Sequence, residues 1–576
     1  MTIFSHFFKC LLLTAPAFAC CGLAGSAQAR QLVVDLPDAL RPFLLPHLPA
    51  LTVDADADEA AAAAARVERM LPELLATRGY FTPRITRRQS GDDWLIAVTP
   101  GPLCRVAQVE LHVAGLSPQR QERLFADWPL PVGAPYRQDD WQHGKQEVLR
   151  RLLGADYPAA RLIDSRAEVD PQAATARLSV AYDAGPAAVF GALRVEGLSR
   201  YRPELVQRLA GFRTGQPYRE EALLNLQASL QNSPYFSAVS VESPPPEAMG
   251  GSTQEPLSVP ILVRVSERQP YALGLGAGVS SNTGARVEAS FRDADLFGRA
   301  WLLDSGLRLE QLRQSLYADV HLPPEAGGER WTYGAASEHE YIQSLRLHRA
   351  ATAAQRVDSR GGIETRLSAK LQREVKQAEG EPVTRSRALT LDQAWTWRRL
   401  DDSVLPRRGQ VTLVQAGGGT KALGSDQDFL RLLGRYQHYF PVGDKDVLQL
   451  RGELGASLAR TRQGIPQDFL FRAGGTQSVR GYAYQSLGVA EGNAIVGGRY
   501  LATASAEYTH WLGGDWGVAL FVDSGAAADQ ARSLHLASGY GMGARWRSPL
   551  GPLGVDLAYG ERTRKLRLDF SLSIPF

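Results

Sequence analysis

Over most of the second half of the chain, apolar and polar residues alternate one for one. The C-terminal stretch is plainest: Leu566, Leu568, Phe570, Leu572, Ile574 and Phe576 fall on one face, with Lys565, Arg567, Asp569, Ser571 and Ser573 on the other. Successive side chains of a strand point to opposite faces, so this period predicts a strand with one apolar surface. From Tyr271 to Phe576 such segments, each about ten residues long, are separated by Gly, Asp, Asn and Pro turns, and helical periodicity disappears. An apolar residue at alternate positions suits a wall with lipid on one side and a polar lumen on the other. At about 19 residues per strand and connection, residues 269–576 predict a C-terminal 16-stranded antiparallel transmembrane β-barrel.

Parity gives the direction of each strand, because a chain that enters from the periplasm and finishes there crosses an even number of times. Working back from the end, the last strand descends from an outer loop at Gly560–Arg564, preceded by an ascending strand at Gly554–Tyr559 and a short turn at Ser548–Pro552. Short turns at Gly513–Asp515 and Pro441–Asp446 fall on the same periplasmic side, while the longest connection, Arg460–Gly498, falls outside.

Residues 31–268 carry a different pattern, repeated at roughly 80 residues. Gly101-Pro102 leads into Val106, Val109, Leu111 and Val113, as Gly185-Pro186 leads into Val189, Leu193 and Val195. Gly133-Ala134-Pro135-Tyr136-Arg137 returns as Gly215-Gln216-Pro217-Tyr218-Arg219. Gly79-Tyr80-Phe81, Asp156-Tyr157-Pro158 and Pro234-Tyr235-Phe236 each close a helix and open a strand. These recurrences predict three copies of one α/β unit, at 30–104, 105–186 and 187–268, each ordered strand, helix, helix, strand, strand. The final strands alternate (Leu178, Val180, Tyr182; Ile261, Val263, Val265), and Ser243–Pro260, rich in Pro, Gly and Ser, reads as a floppy insertion in the third copy.

Residues 1–29 read as a secretory signal: Lys9, an apolar run from Leu11 to Leu23, and the small-residue site Ala27-Gln28-Ala29. Cys10, Cys20 and Cys21 would leave with it, so Cys104 would be alone and no internal disulfide is expected. After that segment no run of about 18 apolar residues occurs, so no helix is expected to cross a bilayer. Hydrophobic content of 44% is ordinary because the two faces of a barrel strand average out. A net charge of +3 argues against nucleic acid as a partner. Enzymatic chemistry is not expected: neither His-Glu-x-x-His nor Gly-x-Ser-x-Gly is present. Asp54, Asp56 and Asp58 lack the Gly and Glu that a calcium loop requires, so they suit the cap of the following helix instead. Neither a metal nor a cofactor is expected.

Two sets of residues remain. Gly274, Gly276 and Gly278 fall at alternate positions of the first barrel strand, a spacing unsuited to a phosphate loop. They remove side-chain packing and weaken that strand, which should meet the last one (Phe570, Phe576) at a lateral seam. The second set lies in the long outer connection, where Ala473-Gly474-Gly475-Thr476-Gln477-Ser478 precedes Val479-Arg480-Gly481-Tyr482. A barrel of about sixteen strands leaves a lumen its own wall cannot fill, so a loop must plug it. Arg480 offers a planar charged fork to a wall carboxylate, and Asp523 in Phe521-Val522-Asp523-Ser524-Gly525 is the expected partner.

The Val-Arg-Gly-Tyr segment, the Phe-x-Asp-x-Gly strand and the turn region Trp546–Leu553 together resemble the outer-membrane assembly and two-partner-secretion superfamily, whose lid loop folds back inside the barrel. The repeated units resemble that superfamily's polypeptide-transport-associated (POTRA) domains, and three of them are similar to its translocation and assembly branch. Thr476 stands where members often carry an acidic residue. The resemblance implies a cell-outer-membrane protein, with its POTRA domains in the periplasm, that inserts client β-barrel or autotransporter proteins through the seam. It also implies work with a TamB-like, inner-membrane-anchored periplasmic partner, within outer-membrane lipid. The alternatives are a two-partner exporter that uses the barrel pore and, from another class, a porin-like or enzymatic barrel.

Overall fold

The computed structural model describes residues 30–49, 52–53, 57–91, 93–244, 256–325, 328–548 and 551–572. The signal segment and Phe576 lie outside the described residues. The chain divides between Ala187 and Ala188 into two compact units. Among the described residues no helix is long and apolar enough to cross a membrane.

The first compact unit holds two small α/β layers. In the first, strands Arg30–Asp35 and Asp93–Thr99 run parallel at the centre, flanked by Thr52–Val53 and Arg84–Ser90. Ala64, Val67, Leu71 and Leu75 recur every three or four residues along helix Ala57–Thr77, and this stripe covers Leu32, Val34, Ile96 and Val98 of the sheet. The expected first helix is only Arg41–Leu44, continued by a 3-10 turn at Leu45–His47. In the second layer, Arg105–Ala114 runs parallel to Thr175–Asp183, which pairs antiparallel with Arg161–Asp170; helices Pro118–Leu124 and Gln138–Gly154 complete it. Cys104 is a buried free thiol of this core, packed with Val106, Tyr136 and Trp141, and burial pushes its thiol pKa up.

The second compact unit opens with the same arrangement. Ala188–Glu196 runs parallel to Leu257–Glu267, which pairs antiparallel with Phe236–Glu242, and helices Pro203–Leu209 and Glu220–Gln231 cover one face. The repeated Gly-x-Pro-Tyr segment has the same structural role in both copies. Gly133 donates to the Val106 carbonyl and Tyr136 to that of Cys104; Gly215 donates to Phe190 and Tyr218 to Ala188. The glycines take φ values of 89° and 86°, and both tyrosines are buried. The expected insertion is shorter than the sequence suggests, because the closing strand already begins at Leu257. Pro260 is absorbed at a register shift between Val259 and Ile261, where a residue without an N–H fits.

This third layer is welded to the barrel. The Tyr235 hydroxyl donates to the Ala300 carbonyl at 2.8 Å, and Ala294 and Leu302 join the layer's apolar core. At its rim Glu267 accepts backbone N–H groups from Ser199, Arg200 and Tyr201. Burial alone would raise this carboxyl, yet the three donors outweigh it and hold it down to about 2.

Sixteen further strands form one antiparallel sheet in chain order, from Tyr271–Ser280 to Lys565–Leu572, each hydrogen-bonded to the next strand of the sheet. Leu566, Leu568 and Phe570 point outward and exposed, while Asp569 is buried on the lumen side. The Gly513–Asp515 turn and the Gly560–Arg564 loop fall where parity placed them. Ladder pairing runs through Pro441 and Val442 to Asp446, so that turn is tighter than expected. The ascending strand is Gly551–Gly560, longer than Gly554–Tyr559.

Candidate functional site: the lumenal lid

The connection between strands Asp446–Leu458 and Tyr500–Gly513 turns into the lumen, burying Ile465, Phe469, Phe471, Val479 and Tyr482 there. On one wall its anchors are mostly basic. Asp468 receives Lys370 at 2.9 Å together with Arg349, and Glu491 receives Lys376 at 2.5 Å. Arg472 reaches Glu340 at 2.8 Å. Burial opposes the Asp468 charge, and the Arg349 guanidinium and Lys370 ammonium offset that cost. A hairpin of Val489–Glu491 and Ala494–Val496 closes this side, with the Asn493 N–H donating to the Glu379 carbonyl at 2.8 Å.

On the opposite wall the anchors are acidic, and Arg480 is their centre. Asp523 receives its backbone N–H at 3.0 Å, Nε at 2.7 Å and Nη2 at 2.9 Å. Nη1 donates to Glu507 at 2.6 Å and to Asp556 at 3.2 Å. Arg545 closes the network, donating to Glu507 at 3.0 Å and to Asp556 at 2.5 Å, and Ser505 donates to Asp523 at 2.7 Å. Arg480 is 4% exposed and Asp523 and Asp556 are fully buried, so these charges depend on one another.

Strand periodicity explains the wall motif. Phe521, Asp523 and Gly525 lie two residues apart and share the lumen face. The Phe521 ring centroid is 3.4 Å from the guanidinium carbon, Asp523 binds the fork, and Gly525 leaves room for Val479, whose Cγ2 would lie 2.9 Å from an added Cβ. Gly539 and Gly560, directly paired on adjacent strands, make a flat seat for the lid backbone. A Cβ on Gly539 would come within 2.0 Å of the Arg480 carbonyl oxygen, and one on Gly560 within 2.6 Å of that of Gly481. Gly481 itself has φ of 86° and passes its N–H to Asp569 of the last strand at 3.5 Å. Tyr482 donates to the Ser538 carbonyl at 3.0 Å and accepts the Arg562 N–H at 3.1 Å. Thr476 accepts from Asn282 at 3.3 Å.

The structure therefore brings Val479, Arg480, Gly481, Tyr482, Asp523 and Gly525 together. Glu507, Arg545, Asp556, Gly539 and Gly560 belong to the same site and escaped the sequence reading. Each occupies a lumen-facing position, but polar and small residues fill that face of every strand, so nothing marked these five.

Gly274, Gly276, Gly278 and Phe570 lie apart from the lid, at the two ends of the sheet. Among the described residues no ladder joins Tyr271–Ser280 to Lys565–Leu572. The strands are linked there by the Ser281 hydroxyl, 3.3 Å from the Phe570 nitrogen and 3.4 Å from its carbonyl oxygen. Leu273 and Leu275 of the first strand are 73% and 81% exposed. Added Cβ atoms on the three glycines would meet side chains only, so no close backbone approach demands glycine at these positions.

Lipid-facing strands, a lumen plugged by an ionically fastened loop and an α/β layer fused at the entry define a lid-plugged outer-membrane β-barrel. The comparisons carry this further. Residues 273–576 match the Omp85 superfamily domain, and residues 188–268 match the POTRA family described as a surface antigen variable number repeat. The chain belongs to the Omp85 superfamily. It is 26% identical over 394 residues to the outer membrane protein assembly factor BamA of Nitratidesulfovibrio vulgaris, an alignment covering 64% of this chain and 47% of that protein. It thus spans about half the length of that curated relative. Among solved structures, BamA from Haemophilus ducreyi lacking POTRA domains 1–3 has the same fold, with a TM-score of 0.62 at 15% identity over 81% of this chain and 98% of that one. CdiB from Acinetobacter baumannii aligns with a TM-score of 0.44 at 13% identity, over 90% and 98% of the two chains.

Proposed function

We propose that this protein is an assembly factor of the translocation and assembly kind, resembling TamA, that inserts client β-barrel or autotransporter proteins into the outer membrane through its lateral seam. In this reading all three α/β layers are POTRA domains that receive clients in the periplasm, and a TamB-like protein anchored in the inner membrane delivers them. The observation that carries the proposal is the contrast between a filled lumen and an unladdered seam. The central path is occupied by a lid fastened on both walls, whereas among the described residues no ladder covers the edge of the first strand. Unpaired backbone groups are costly in lipid, so such an edge gains free energy by pairing with an incoming strand. The family match and the BamA relative support insertion or translocation; three α/β layers support the TamA-like branch.

A disulfide scan across the seam tests this, starting from the Ser281–Phe570 contact, since a bridge forms only where Cα atoms lie within about 7 Å. With the seam locked, client assembly should stop in the oxidised protein and resume on reduction while the barrel stays folded. Undiminished activity in a demonstrably locked protein would overturn lateral insertion and favour an exporter that uses the lumen.

A further inference from the structure

The outward face of the barrel carries a cluster that neither the lid nor the seam uses. On the three neighbouring strands Leu345–Arg360, Ile363–Ala378 and Thr384–Leu400, register separates the two faces. Arg349 and Glu374 are cross-strand partners and both reach the lid, so they face inward. The adjoining row His348, Val375, Arg385 therefore faces outward, and so does the next row toward the periplasm, Ala350, Arg373, Arg387. Beyond it the same face turns apolar, with Leu371 paired to Leu389 and then Ala369 to Leu391. Strand direction puts the connections at 343–344 and 379–383 outside the cell, so the arginines stand at the outer-leaflet edge of the apolar band.

Arg373 and Arg387 are directly opposed across their ladder, where like charges repel. Among the described residues Arg373 and Arg385 enter no ion pair or side-chain hydrogen bond, and Arg387 has one carboxylate near it, Asp426 at 4.0 Å. The periplasmic end of this wall is arranged differently: Arg356 and Arg360 share Glu329 at 2.5 and 3.1 Å. Three like-charged guanidinium groups with a single distant carboxylate among them, at headgroup depth and facing lipid, are complementary to phosphate, which accepts the planar fork in bidentate fashion.

We propose that Arg373, Arg385 and Arg387 bind the headgroup of a phosphate-bearing anionic lipid of the outer leaflet. A headgroup with two phosphates meets the opposed pair Arg373 and Arg387 and leaves Arg385 to grip from above. These strands are the sixth to eighth of the 16, half-way round the sheet from the seam. Lipid held there fastens the back wall in the outer leaflet while the seam stays free to move.

Native mass spectrometry of the full-length protein in detergent, titrated with diphosphorylated lipid A and with its enzymatically dephosphorylated form, tests the site. Affinity of the triple variant Arg373→Gln, Arg385→Gln, Arg387→Gln for the diphosphorylated lipid should fall by about a hundredfold, roughly fivefold for each guanidinium removed. The wild type should bind dephosphorylated lipid as weakly, and the periplasmic control Arg356→Gln, Arg360→Gln should bind like the wild type. Equal binding of the diphosphorylated lipid by the wild type and the triple variant would overturn the site, as would a wild type indifferent to phosphate removal. The phosphate comparison on unaltered protein decides the matter even if the triple variant fails to fold, which heat-modifiable migration would reveal.

Discussion

A simple Arg480–Asp523 pair would make Arg480→Ala and Asp523→Ala equally damaging, but the network around them predicts unequal effects. Arg480→Ala leaves Asp523 with the residue-480 backbone N–H and the Ser505 hydroxyl, and leaves Glu507 and Asp556 sharing Arg545 alone. Breaking a buried ion pair by removing one member costs about 3–5 kcal/mol, and here three carboxylates lose the same cation, so the upper end applies. Asp523→Ala removes one carboxylate but leaves Arg480 bonded to Glu507 and Asp556. Its cost should be nearer 1–3 kcal/mol, the penalty of a buried polar group that loses one of several partners. In the double variant the Asp523 penalty disappears with Asp523 itself, so the two losses should fall short of additivity by about 1–3 kcal/mol. Denaturant unfolding of the full-length protein in detergent gives the three free energies, and protease cleavage within 460–498 reports whether the lid has left the lumen. Equal single losses that add in the double variant would refute the shared-hub account.

Gly539→Ala should release the lid without altering any charge, because the new Cβ would strike the Arg480 carbonyl oxygen at 2.0 Å; the same protease assay would detect it, and an unchanged cleavage pattern would contradict the seat. Residues 30–187 form a compact unit of their own and should be folded and soluble when expressed alone, whereas 188–576 should require detergent and show heat-modifiable migration on gels. Glu267 is held down to about 2, so its stabilising contribution is complete above an unfolded carboxyl value of about 4.3 and is lost as the pH falls toward 2. Glu267→Gln should abolish that part of the acid sensitivity and speed exchange of the Ser199, Arg200 and Tyr201 amides at pH 6, read by hydrogen exchange on the full chain.

Much of the architecture was legible because membrane and soluble segments obey different periods. Alternation from Tyr271 onward, together with Gly and Pro turns, determined the number and direction of strands, since a lipid-facing position two residues on is again lipid-facing. The Gly-x-Pro-Tyr repeats were legible as repeats, but their purpose emerged only with the paired hydrogen bonds of Gly133 and Tyr136, which join residues about 30 apart along the chain. The lid arginine and one partner stood out because each sits in an unusual run of residues. Glu507, Asp556 and Arg545 did not, because a lumen face is polar throughout and convergence on one point depends on shear between strands distant in sequence. Pro260 misled for a related reason: it marks a loop in isolation, yet a bulge lets the strand pass through it.

The two walls that grip the lid are predominantly of opposite sign, and this bears on the barrel's mechanics. A ring of strands owes its roundness to an unbroken hoop of hydrogen bonds, and here, among the described residues, no ladder joins Tyr271–Ser280 to Lys565–Leu572. The lid acts as a spoke across that ring: Asp468 pulls on Arg349 and Lys370 at one end, and Arg480 pulls on Asp523, Glu507 and Asp556 at the other. Because Gly481 also leans on Asp569 beside the gap, the spoke ends at the joint it braces. Because one loop is tied at both ends, unfastening it at the basic wall should loosen its hold beside the open joint as well, a coupling that needs no chain of contacts through the strands between.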